Sequence, residues 1–111
     1  ITMSVNCYFS EKINQLQKLG IHDIILDPGF GFGKTIEDQY KMIDEIEHIG
    51  FEKFPLLIGI SRKSFIYKPL GKLPTEINEE TQNLHRKVLE KGAKILRVHD
   101  VAETKNLLGE L

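Results

Sequence analysis

Three apolar runs, Ile24-Ile25-Leu26, Pro55-Leu56-Leu57-Ile58-Gly59-Ile60 and Ala93-Lys94-Ile95-Leu96-Arg97-Val98, each break into a polar or glycine-rich turn, and helical patterns fill the intervals between them. That alternation constrains the fold of these 111 residues more than any other feature. Near-continuous apolar runs suit strands covered on both faces, and strands separated by helices join through right-handed crossovers into a parallel sheet. Over residues 5–19, Val5, Phe9, Ile13, Leu16 and Leu19 recur at helical spacing with Glu11, Lys12, Gln15 and Lys18 between them, and Gly20 ends the pattern. A strand over residues 23–26 follows. A helix over about 35–49 comes next, with Tyr40, Ile43 and Ile46 on one stripe, Met42 and Ile49 beside it, and Gly50 after it. Residues 54–60 read as the second strand, 68–74 as a Pro- and Gly-marked loop, and 79–91 as a helix carrying Leu84 and Val88 before Gly92. The third strand is expected over 94–98 and the last helix over 102–108. The chain begins at Ile1, inside a helical pattern, and reads as a piece of a longer one.

A length of 111 residues accommodates one small domain, and the net charge of −1 gives no bulk attraction to a polyanion such as nucleic acid. No apolar stretch reads as a membrane span. One cysteine, Cys7, cannot form an internal disulfide; it is expected to be a small packing residue in a reduced, cytoplasmic chain. His22, His48 and His85 lie in polar surroundings and are expected at the surface. His99-Asp100 alone lacks the ligand count of a zinc site.

The chemistry-bearing residues sit where the apolar runs end. Asp27 opens Asp27-Pro28-Gly29-Phe30-Gly31-Phe32-Gly33-Lys34-Thr35, the second run enters Ser61-Arg62-Lys63-Ser64, and the third enters His99-Asp100. The glycine-rich turn fits neither familiar nucleotide motif. A Walker loop needs glycine where Pro28 stands, and the dinucleotide fingerprint needs its third glycine where Lys34 stands. The turn is then either a tight βα connection whose glycines supply positive φ, or part of a site. A carboxylate at Asp27 needs hydrogen-bond donors, from a ligand or from a nearby cation. By the period of two, Arg97 and His99 share one face of the third strand. With Arg62, Lys63 and the flanking serines they supply cations and donors suited to phosphate or pyrophosphate. In parallel α/β folds the carboxyl ends of the strands are where ligands bind.

The three blocks, Asp27 to Thr35, Gly59-Ile60-Ser61-Arg62-Lys63-Ser64-Phe65-Ile66 and Gly92 to Val101, together resemble dihydropteroate synthase in order and spacing. The resemblance implies an α/β fold: the C-terminal part of a (β/α)8 TIM barrel, about three β/α units plus a preceding helix, with residues 1–111 as the carboxyl-terminal portion of a pterin-binding domain. Such barrels need about 250 residues, so five strands are expected amino-terminal to this chain. The reaction implied is condensation of 7,8-dihydropterin-6-ylmethyl diphosphate with 4-aminobenzoate, giving 7,8-dihydropteroate and pyrophosphate in folate biosynthesis.

The resemblance also implies roles. Asp27 would bind the pterin's amino and ring N–H edge, Lys63 the pterin's oxygen edge, and Arg97 would cover the pterin face, with Lys63 and Arg97 as the catalytic pair. His99 would bind pyrophosphate, and Ser64 and Phe32 would line the aminobenzoate site. Magnesium is implied too, held by a loop of the missing amino-terminal part, with no metal ligand within this fragment. Further implications are a homodimer in the full-length protein, no nucleic-acid or membrane partner, and no activity from the fragment alone. The segment Asn78-Glu79-Glu80-Thr81-Gln82-Asn83 departs from the family's small residue and glycine before threonine, a difference that bears on dimer packing rather than chemistry. Two further readings are a corrinoid-linked methyltetrahydrofolate methyltransferase domain and a non-catalytic, self-associating α/β module. The Ser61-Arg62-Lys63-Ser64 and Arg97-Val98-His99 blocks favour diphosphate binding over the first.

Overall fold

The computed structural model describes residues 1–111. In chain order its elements are α1 (Thr2–Lys18), α2 (Ile36–Asp44), a 3-10 turn (Ile46–His48), β1 (Leu57–Ile58), α3 (Ser64–Leu70), a second 3-10 turn (Pro74–Glu76), α4 (Asn78–Glu90), β2 (Ile95–Leu96) and α5 (Val101–Glu110). The strands β1 and β2 are parallel, with Leu57 opposite Ile95 and Ile58 opposite Leu96. Leu26 adds a parallel bridge to Leu56 on the other side of the central run, closed by Leu26 N–H to the Pro55 carbonyl at 2.9 Å and Leu57 N–H to the Leu26 carbonyl at 2.7 Å. The three apolar runs are therefore neighbours in sequence order, all pointing the same way.

They are much shorter as strands than their apolar lengths predict. The run before Asp27 forms a bridge rather than a strand, and the other two form two-residue strands. Only the central run has a partner on both sides, and a strand's length is set by the hydrogen bonds a neighbour offers, not by its own sequence. Ile25, on the outer run, is 55% exposed.

The α1 stripe forms as its spacing predicts for Val5, Phe9 and Ile13, all buried, while Leu19 falls at the cap and is exposed. Polar contacts seat α1: Thr2 Oγ1 donates to Glu45 at 2.8 Å, and the Asn6 side chain donates to the His48 carbonyl and accepts from Gly50 N–H. The expected helix over 35–49 is broken. α2 ends at Asp44, and the 3-10 turn that follows directs Ile46 into the core with Met42, Ile43 and Ile49, leaving Tyr40 at the margin. Thr35 caps α2 through a reciprocal box with Asp38.

α3 lies partly in the segment read as a loop. Pro69 falls in its last turn, where a proline N costs only one hydrogen bond, and Gly71 closes it in the left-handed region at φ +63°. The core gathers these faces: Leu56, Ile58 and Ile60 of the central run meet Phe30, Phe65, Ile66, Ile77, Val88 and the α1 and α2 stripes.

Two single-residue expectations are corrected. Cys7 is exposed, because it lies off the α1 stripe. His85 is fully buried, because Thr81, His85 and Val88 share the inner face of α4, a helix of mostly polar composition. His22 and His48 are exposed as expected. No helix is long and apolar enough to cross a membrane.

Candidate functional site

The glycine-rich turn is built by alternation. Phe30 points inward, 1% exposed, and stacks on Phe65 of α3 at 5.7 Å between centroids, while Phe32 points outward, 67% exposed. Gly29, Gly31 and Gly33 all have positive φ, a conformation that a side chain at any of them would strain. Two side chains satisfy the turn's backbone. Lys34 Nζ donates to the carbonyls of Gly29 at 2.9 Å and Phe32 at 3.1 Å. Gln39, buried on α2, accepts from Gly31 N–H at 2.8 Å and donates to the carbonyls of Lys34 and Thr35.

Gln39 was not legible as a site residue, since a glutamine in a helix reads as surface; the one available signal was that a turn rich in glycine N–H groups needs acceptors. Gln39→Ala leaves the Gly31 N–H without its partner and is expected to lower stability by about 1–3 kcal/mol, read from urea midpoints. A loss under ~0.5 kcal/mol would show that the turn holds itself.

Asp27 is half exposed at the end of its run. Its Oδ1 accepts from Gly29 N–H at 2.9 Å, and its Oδ2 accepts from Arg97 Nη1 at 2.9 Å. The partner cation is thus supplied within the chain. The Arg97 guanidinium lies across the bare backbone of Gly59: a Cβ built there would meet Arg97 Cζ at 2.8 Å and Nε at 3.1 Å.

Lys63 ends the next turn as the cap of α3, with Nζ 5.0 Å from the centre of the Phe32 ring, a cation–π contact between two of the expected site residues. Arg62 has φ +58°, unusual for a residue with a side chain, and pairs with Asp100 at 3.1 Å across the two turns. Ser61 is buried and contacts His99, its Oγ 2.9 Å from Nδ1. Ser64 is half-buried as the first residue of α3.

Asp27 with Arg97, Lys63 with Phe32, and the Ser61–His99 and Arg62–Asp100 contacts tie the three turns into one surface. Gly59 and Asp100 join this surface without having been assigned a binding role from the sequence. Arg97 and Arg62 are each balanced by a carboxylate, whereas Lys63 enters no ion pair, so the surface carries surplus positive charge. A cleft of about 420 Å³ opens beside it, lined by Asp27, Gly29 and Phe32 on one side and Tyr8 and Phe9 of α1 on the other.

No three His, Cys, Asp or Glu side chains are grouped to hold a metal ion, and both oxygens of Asp27 are already engaged.

Residues 1–99 match the family described as pterin binding enzyme. The chain is 41% identical over 101 residues to the bifunctional dihydropteroate synthase/dihydropteroate reductase of Helicobacter pylori, covering 91% of this chain and 27% of that protein. It is 39% identical over 102 residues to dihydropteroate synthase of Escherichia coli, covering 90% of this chain and 36% of that one. The chain thus spans roughly a third of the length of these relatives. It superimposes on the Xanthomonas albilineans dihydropteroate synthase in complex with 7,8-dihydropteroate with a TM-score of 0.92 at 32% identity, covering 98% of this chain and 43% of that one. A structure of the same enzyme with 4-aminobenzoic acid aligns with a TM-score of 0.93, again at 32% identity, covering 98% of this chain and 41% of that one. The architecture is that of a partial TIM barrel.

Proposed function

This chain belongs to the pterin binding enzyme family, and on that premise we propose that residues 1–111 are the carboxyl-terminal portion of a dihydropteroate synthase domain. The substrates are a dihydropterin-6-ylmethyl diphosphate and 4-aminobenzoate. The observation that carries the reading is the Asp27–Arg97 pair, whose partners come from different strand ends and which the substrate divides between them. A pterin presents adjacent N–H donors to a carboxylate and a diphosphate presents oxygens to a guanidinium. Binding exchanges one internal charge-assisted bond for two to the ligand.

In the reaction the carbon–oxygen bond to diphosphate breaks, the arylamine nitrogen bonds to the same methylene carbon, and the amine loses a proton. No protein nucleophile is required. Asp27 orients the pterin, Lys63 contacts its oxygen edge, and Phe32 with Ser64 borders the arylamine. Arg97 and His99 meet the charge that develops on the departing diphosphate. Magnesium is assigned to residues outside this chain. A cytoplasmic homodimer is part of the same reading.

Isothermal titration of the chain with pyrophosphate and with 7,8-dihydropteroate tests it. Saturable binding of both is expected, and no dihydropteroate is expected when the chain is instead supplied with the dihydropterin diphosphate and 4-aminobenzoate, because the remaining strands of the barrel supply the other half of the pterin site. Binding of methyltetrahydrofolate with no response to pyrophosphate would favour the methyltransferase reading instead.

A further inference from the structure

We propose that Ser61 is a positioning residue that locks His99 as its Nε2–H tautomer, so that the imidazole offers one outward N–H donor at the strand ends. The argument begins in the sheet. Arg97 N–H bonds the Ile58 carbonyl at 3.1 Å, and Ile95 N–H bonds the Leu56 carbonyl, so the next rung of this parallel ladder would join His99 N–H to the Ile60 carbonyl. That carbonyl instead accepts from Lys63 N–H at 3.1 Å, as the chain turns through Arg62. Ser61 Oγ takes its place, accepting from His99 N–H at 3.2 Å.

The same oxygen lies 2.9 Å from His99 Nδ1 and has no other hydrogen-bond partner in the chain. Ser61 is only 5% exposed, so its single hydroxyl hydrogen has one acceptor within reach, the Nδ1 lone pair. A hydroxyl that already accepts the backbone N–H and donates to Nδ1 leaves the ring proton on Nε2. Use of that donor toward the diphosphate rests on the reading above; the tautomer does not.

The test is long-range ¹H–¹⁵N correlation on ¹⁵N-labelled chain at about pH 8, where an ordinary imidazole is neutral, with His99 assigned through His99→Gln. The wild type is expected to show a pure Nε2–H pattern, Ser61→Ala an averaged two-tautomer pattern, and Ser61→Thr the wild-type pattern. Pyrophosphate is expected to bind Ser61→Ala about fivefold more weakly, the effect of one lost hydrogen bond. An averaged or Nδ1–H pattern in the wild type overturns the proposal, as does a pure Nε2–H pattern in Ser61→Ala. A Ser61-dependent tautomer in a chain that binds no pyrophosphate upholds the lock and overturns the diphosphate reading.

Discussion

When this chain replaces the matching region of the Escherichia coli enzyme, Arg97→Ala is expected to lower kcat by about 10²- to 10³-fold, the usual cost of removing one donor aimed at developing charge. The melting temperature should barely change. The Arg97 and Asp27 side chains are 55% and 35% exposed, and an ion pair in that setting contributes about 1 kcal/mol or less. Arg97→Lys keeps the charge but not the planar fork that can lie flat on a ligand while donating, so it should recover only part of the rate.

Gly59→Ala supplies an independent check, because it leaves Arg97 in place chemically and removes only its resting position. The group it displaces is the far end of a flexible, half-exposed side chain, so stability should hold while kcat falls. An Arg97→Ala enzyme within tenfold of the parent would remove Arg97 from the chemistry. A Gly59→Ala enzyme of normal rate would show that the guanidinium reaches the substrate by another path.

How much of this was legible in sequence follows from how local each feature is. The α1 stripe, the left-handed glycines after α1 and α4 and the three strand-end blocks depend on near neighbours in the chain, and the spacing predicts them. Strand length depends on a partner supplied from some thirty residues away, so apolar run length overstates it. The helix α3 was hidden because Pro69 and Gly71 signal a loop, although proline is tolerated so near a helix end. The sequence places Asp27, Lys63, Arg97 and His99 at strand ends, but not the pairing of Asp27 with Arg97, which depends on a bare Gly59 between them.

The burial of His85 is hidden in the sequence for a different reason. The average polarity of α4 concealed a period, since Ile77, Thr81, His85 and Val88 fall at spacings of four, four and three and are all buried. That period, not the composition, is the signal that marks His85 as buried.

The buried position of His85 carries the second large effect, a loss of stability between about pH 6.5 and pH 4. His85 Nδ1 lies 3.0 Å from Gln82 Oε1. The Gln82 amide hydrogens are directed to Asn78 Oδ1 at 3.1 Å and Thr104 Oγ1 at 3.0 Å, which leaves Oε1 as the acceptor and Nδ1–H as the donor. Nε2 is buried without a partner. Protonating it would place a charge and an unsatisfied donor in the core, and burial accordingly pushes the His85 pKa down from 6.5 to about 4.

The unfolded chain takes up this proton near its ordinary pKa and the folded chain only near the lowered one. The stabilisation is therefore complete above the unfolded value and declines as the pH falls toward the folded value. At pH 5 the loss is about 2 kcal/mol, approaching ~3 kcal/mol below pH 4. Asp44, Glu47 and Glu80, whose pKa values are lowered by hydrogen bonds and lysine partners, lose their contributions only below the ordinary carboxylate range, so the two effects separate. Urea unfolding at about pH 7.5 and about pH 5 measures the difference, and His85→Leu should flatten it whatever that variant's absolute stability. An unchanged pH slope in His85→Leu would assign the acid sensitivity to another group, and a flat slope in the wild type would mean that water or a rearranged partner reaches Nε2 in solution.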